Sequence, residues 1–142
     1  IVTEPSALLP RVRVPGAAFR PTVEGQDVRV EEGVLGFFRE GGAVAELNAP
    51  AAGEFILRIH SFGELAGPEL PKISVKVGDQ EVAVIEVSAQ EGQAADYDVP
   101  LKLAAGTQPL TLAFLNNFNA AGDRNVFVQH VELLGPTDAA LV

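Results

Sequence analysis

The run KISVKV alternates strictly, with Ile73, Val75 and Val77 on one side and Lys72, Ser74 and Lys76 on the other. Only a β-strand gathers side chains of that period onto one face, because its successive side chains point in opposite directions. Comparable short runs follow one another along the chain: DVRV, VLGFF, AVAEL, EFILRIHSF, EVAVIEV, YDVPLKL, LTLAFL and NVFVQHVELL. In YDVPLKL, Tyr97, Val99, Leu101 and Leu103 share a face. Glycine, proline and asparagine punctuate the runs, as strand ends and turns require. Gly78-Asp79 predicts a tight hairpin with glycine first, the arrangement of a type II′ turn. Gly53 and Gly106 mark turns that feed the next strand. The one helical candidate, VSAQEGQAAD, is short and interrupted by Gly92. The pattern predicts an all-β fold, an antiparallel β-sandwich of eight or nine short strands.

A chain of 142 residues with 47% hydrophobic content is long and apolar enough to bury one core without covalent staples. There is no cysteine, which removes disulfides, thiolate metal sites and cysteine nucleophiles together. The net charge of -9, from 19 acidic and 10 basic residues, argues against nucleic acid as a partner and suits cations or neutral ligands. No apolar stretch approaches membrane-spanning length, so membrane insertion is not expected. The chain opens on Ile1, has no methionine, and reads as an excised piece of a longer protein. Pro5, Pro10 and Pro15 give residues 1–18 the character of an extended arm or linker, with an edge strand at Arg11 to Val14. Residues 19–135 form the expected sandwich and 136–142 a second linker end.

Two long loops carry the candidate chemistry, one after Phe62 and one after Leu115, on strand ends whose edges could coincide. In the second, Asn116, Asn117, Asn119, Asp123 and Asn125 offer the oxygen ligands that calcium takes, although only one is a carboxylate. The same residues are also turn formers that bond their own backbone. In the first, Glu64 and Glu69 are the only charges of a loop whose path is set by Gly63, Gly67, Pro68 and Pro71. They could hold a cation, act as an acid–base pair, or simply be solvated. Phe118, alone in the polar loop, is either a stacking platform or tucked beneath it. Phe37, Phe38, Phe55, Phe114 and Phe127 sit in strand runs and are expected in the core. His60 and His130 lie in separate strand runs without a third ligand at zinc-site spacing. No Gly-x-Ser-x-Gly elbow or glycine-rich phosphate loop is present, so no catalytic residue is assigned and no enzyme is expected.

The order of pieces is more telling than any one of them. AAGEFILRIHSFGELAGPELPKISVKVGDQEV, then VPLKLAAGTQPLTLAFLNNF, then GDRNVFVQHVELLGP resembles a calcium-dependent, xylan-binding type of carbohydrate-binding module. Such modules also occur in large multidomain bacterial proteins with cytochrome-like domains. The resemblance spans roughly residues 20 to 135. It implies a jelly-roll sandwich outside the cell or at its surface, extracellular or periplasmic, and non-catalytic. The neighbouring domains of a parent chain and a plant- or algal-type polysaccharide are its implied partners. It further implies a calcium ion that coordinates adjacent sugar hydroxyls, which lessens the need for aromatic stacking in a chain without tryptophan. The implied carbohydrate contacts are Glu64, Glu69, Asn117, Phe118 and Asp123. The implied metal ligands are Glu69, Asn117, Asp123, Asn125 and Gln129. Asn117 and Gln129 stand where the family carries acids, and each swap keeps an amide oxygen but removes a charge. The alternative is a structural or interaction sandwich of a larger extracellular protein that has lost both metal and sugar.

Overall fold

In the computed structural model, which describes residues 11–23, 27–118 and 122–137, eleven strands pair into two antiparallel sheets. Sheet A runs in the order β3 (Val28–Glu31), β4 (Val34–Phe37), β11 (Asn125–Leu134), β6 (Gly53–Glu64), β9 (Ala95–Leu103). β1 (Arg11–Pro15) joins β11 on the same side as β4 but further along it, from Pro15↔His130 to Arg11↔Leu134. Sheet B runs β2 (Arg20–Pro21), β5 (Gly41–Ala49), β10 (Gly106–Phe114), β7 (Lys72–Val77), β8 (Gln80–Glu86).

The expected β-sandwich is present, with eleven strands rather than eight or nine. β2 went unseen because two residues carry no period, and it is recognised only by its pairing with Val44 and Ala43 of β5. The edge strand anticipated at Arg11 to Val14 is β1, with Val14 buried in the core. Sheet A therefore begins before residue 19. Residues 1–10 and 138–142, with most of the proline-rich arm and the last linker residues, lie outside the described residues, as does Asn119.

Alternation builds the core. Leu35, Phe37, Leu57, Ile59, Val126 and Val128 of sheet A face Ala45, Leu47, Ile73, Val75, Leu110 and Leu112 of sheet B, all at most 1% exposed. Two of the five phenylalanines expected inside are not there. Phe37, Phe55 and Phe114 are buried, whereas Phe38 and Phe127 are half-buried on the outer face of sheet A. The pleat forces this: Phe37 points inward, so its neighbour turns out, and Phe127 lies between inward-facing Val126 and Val128.

Gly78 has φ +60°, and Asp79 is not among the described residues with positive φ, so the β7–β8 hairpin matches the type II′ expectation. The β3–β4 hairpin uses Glu32 and Gly33, at φ +52° and +80°, as a type I′ pair. VSAQEGQAAD is a turn and the start of β9, with Gln93 N–H donating to Gln90 O.

Gly16, in the single 3-10 turn after β1, marks a close crossing of three backbones. A Cβ there would lie 2.7 Å from Gly33 O and 2.8 Å from both Leu35 N and Val128 O. Gly16→Ala is expected to destabilise by about 1–3 kcal/mol. The check is a lower urea midpoint at unchanged slope; an unchanged midpoint would mean that β1 and its turn can retreat freely.

Candidate functional site

The chain passes from sheet A to sheet B between β6 and β7, and returns between β10 and β11. β6 pairs with β11, and β7 with β10, so the two crossovers are forced side by side at one end of the sandwich. The β8–β9 crossover joins them there: Gly63 N–H donates to Ala89 O, and Val87 N–H to Pro71 O. The loops after Phe62 and Leu115 thus meet.

Their junction is built around Arg124, a cation only 3% exposed. Its Nε donates to Ala66 O at 2.9 Å and its Nη1 to Asn116 O at 2.6 Å, one carbonyl from each loop. Its backbone N–H donates to Phe118 O, and its guanidinium lies 5.0 Å from the Phe118 ring centre. Gly67 admits this stack: at φ +76°, a Cβ would lie 2.8 Å from Nη2 and 2.9 Å from the phenyl ring. Nη2 is buried without a hydrogen-bond partner among the described residues. Asp123, its neighbour in sequence, forms no ion pair with it among the described residues. The guanidinium fork ties main-chain oxygens instead, which a single ammonium could not do in the same geometry.

The asparagines divide their work. Asn116 is structural: its Oδ1 accepts from Lys72 N–H at 2.9 Å, and its Nδ2 donates to Leu70 O at 2.9 Å and Glu69 Oε2 at 3.3 Å. Asn125, 7% exposed, donates from Nδ2 to Glu64 Oε1 at 2.8 Å. Asn117 and Asp123 keep their side-chain oxygens free of protein partners among the described residues. Nothing in the order Asn116-Asn117 told the tie from the free oxygen; the register of β10 against β7 decides it. Phe118 is half-buried against Gly67 and Arg124. Gln129 stands apart, as the bulged residue where the β6–β11 register shifts between Val128 and His130. Four residues of strand put it roughly 13 Å from Asn125, too far to complete the same shell.

These donors fit a hard cation in kind. Asn117, Asp123 and the second carboxylate oxygens of Glu64 and Glu69 are all-oxygen chemistry. No three acidic or histidine side chains are gathered to share an ion among the described residues. Arg124 already joins the loops, so the frame is assembled by protein groups alone.

The outer face of sheet A continues from this end as a ladder of cross-strand pairs. Glu64 lies opposite Asn125, Phe62 opposite Phe127, and His60 opposite His130. The phenyl rings stack at 4.9 Å and the imidazoles at 4.8 Å. His60 Nδ1 is 2.8 Å from Asp96 Oδ1. Burial, with Arg13 and His60 nearby, pushes His130 below its ordinary pKa of 6.5, opposed by Glu132 and Asp96. The two histidines, which the sequence left unconnected, are neighbours, but no third ligand completes a zinc set among the described residues. Strand parity at Phe62 and Phe127 was the signal that could have revealed this face.

A family model described as a Ca-dependent, xylan-binding carbohydrate-binding module, CBM60, matches residues 56–140. No curated protein matches the sequence. Solved structures share the fold at low identity. The CBM36-1 domain of a multidomain xylanase from the hindgut metagenome of Trinervitermes trinervoides aligns at TM-score 0.64 and 14% identity, over 89% of this chain and 98% of that one. The C-terminal CBM6 of LamC, a marine laminarinase from Zobellia galactanivorans, aligns at 0.64 and 13%, over 89% and 100%. A CBM36 in complex with calcium and xylotriose aligns at 0.54 and 12%, over 86% and 98%.

Two outcomes are expected from this geometry. Arg124→Lys loses the two-carbonyl fork and should cost about 1.5–3 kcal/mol, with faster amide exchange in residues 65–71. Exchange there that stays as slow as in the parent would mean that the loops are held by other contacts. His130 is the second case. Its depressed pKa means that its share of stability is complete above pH 6.5 and is lost as pH falls through the depressed value. His130→Gln should therefore flatten the fall of the melting temperature between neutral pH and about 5. A fall of unchanged steepness would assign it to other groups.

Proposed function

The chain belongs to the family of calcium-dependent, xylan-binding carbohydrate-binding modules, and on that premise we propose that it is a non-catalytic module that recognises a xylan-like plant or algal polysaccharide. The observation that carries this reading is the sandwich end where Arg124 locks two crossovers together. There Asn117 and Asp123 keep their oxygens free of protein partners among the described residues. A locked loop frame with unspent oxygens favours binding, because little main-chain freedom remains to be lost there when a polyol docks.

The fold supports the same location, since loops at one end of a sandwich can vary without disturbing the core. Asn117, Asp123 and Glu69, with Asn125 and Glu64 beside them, would hold calcium at this end. The bound ion supplies a positive centre to which neighbouring sugar hydroxyls coordinate in place of water. With an amide at Asn117 and with Gln129 out of reach, few carboxylates face the ion, so the affinity for calcium is low and the ion serves recognition more than stability. Asn116 and Arg124 keep the loops in register, and Phe118 packs beneath them with an edge left for a sugar. The module works outside the cell, extracellular, periplasmic or on the surface of a bacterium, beside other domains of its parent chain. The second reading, a sandwich that has lost sugar and metal and serves as a spacer, draws on the two missing acids.

Retention on insoluble xylan separates the two. The expected result is retention with millimolar calcium, its loss with chelator, and weakening by about tenfold or more in Glu69→Ala and in Asn117→Ala. No release of reducing ends is expected from the polymer. Retention that ignores both substitutions puts the glycan elsewhere, and no retention at all leaves the spacer.

A further inference from the structure

Beside the loop end, on the outer face of sheet A, lies a cavity of about 370 Å³. Its floor is Gly36, Phe38, Phe62 and Phe127; the β3–β4 hairpin walls one side with Arg29 and Glu31, and Glu91 of the β8–β9 crossover walls the other. The aromatic floor is built, not incidental. Phe62 and Phe127 stack at 17°, and Phe38 meets Phe127 edge-on at 80° with ring centres 5.4 Å apart. Gly36 makes the arrangement possible: a Cβ there would lie 2.9 Å from the Phe38 ring and 3.2 Å from that of Phe127. Arg29 is fixed by Glu31 at 3.0 Å and lies 4.5 Å from the centre of the Phe38 ring. Three half-buried phenyl rings side by side give this solvent-facing sheet an apolar strip beside the loop end.

We propose that this groove is a second sugar subsite, occupied by the continuation of a neutral glycan chain whose other part sits at the loop end. The inference rests on the glycan reading above and adds a second, aromatic surface to it. Continuity selects the occupant. Phe62 and Phe127 follow Glu64 and Asn125 on the same face of the same paired strands, two residues or roughly 7 Å away. A ligand long enough to leave the loop end along the sheet therefore meets the phenyl floor next. Charge selects its class. Glu31, Glu32 and Glu91 on the rim outnumber Arg29, which is already paired, so an acidic glycan is repelled while hydroxyls find acceptors. The apolar C–H face of a pyranose matches the phenyl floor, and the rim carboxylates and guanidinium match its equatorial hydroxyls.

The test uses xylobiose and xylohexaose as probes, with binding followed by calorimetry and by backbone amide shifts in the same calcium-containing buffer. Xylohexaose is expected to bind about three- to tenfold more tightly than xylobiose and to shift the amides of Gly36, Phe38 and Phe127. Xylobiose is expected to shift only residues 64–70 and 115–125. In Phe62→Ala and Phe127→Ala the hexaose advantage should vanish while xylobiose affinity stays as it was. An amide spectrum like that of the parent verifies the fold, and wild-type shift mapping gives the answer even if a variant fails to fold. An undiminished hexaose advantage in folded variants, or silent groove amides with bound hexaose, overturns the subsite and leaves the loop-end reading standing. Binding of neither probe overturns both. Self-association of the parent that Phe62→Ala abolishes would assign the groove to a second copy and overturn the sugar. An oligogalacturonide that shifts the groove amides would overturn the neutral class.

Discussion

The pairing of β6 with β11 is the constraint on which the rest of the molecule hangs. From Asn125↔Glu64 to Leu134↔Ile56, one antiparallel pairing, broken by a single bulge, places the loop end, the stacked phenyl rings and the stacked imidazoles in sequence along one face. The alternate residues of the same two strands carry Leu57, Ile59, Val126, Val128, Val131 and Leu133 into the core. A slip of one residue would exchange the two sets, so burial of the inner set holds the outer ladder in place. The bulge at Gln129 absorbs one extra residue, which is how inward facing returns at Val131. On the far edge, β4 ends and β1 takes over on either side of that bulge.

Much of this was legible in the residues. KISVKV and NVFVQHVELL are strands with the boundaries their alternation gives, and the Gly78-Asp79 hairpin has the conformation that glycine in first place asks for. What stayed hidden depends on pairing between distant segments. β2 is two residues with no signal of their own. Phe38 and Phe127 have the apolar character of core residues, and only their parity against Phe37, Val126 and Val128 turns them outward. At the loop end, Arg124 and the Asp-Arg-Asn order were visible, but not that the guanidinium reaches carbonyls 58 and 8 residues away rather than the carboxylate beside it. The roles of Asn116 and Asn117 likewise follow from where β10 stops against Lys72.

The loop end carries two kinds of chemistry in separate layers. Beneath the surface, Arg124, Asn116 and Asn125 spend their donors on main chain and on Glu64 and Glu69. Above them, Asn117 and Asp123 keep oxygens that face no protein group among the described residues. That separation means that a substitution at Asn117 or Asp123 removes none of the hydrogen bonds that hold the frame.

Pro100 has a consequence of another kind. It sits in β9, the outermost strand of sheet A, opposite Ile56. An outer strand presents unpaired amides that can template another chain, and a proline there removes a donor from that row. Pro21 does the same for β2 at the border of sheet B. The two prolines remove one donor each from one border of either sheet, which disfavours strand addition there, while β3 and β8 form the opposite borders without a proline.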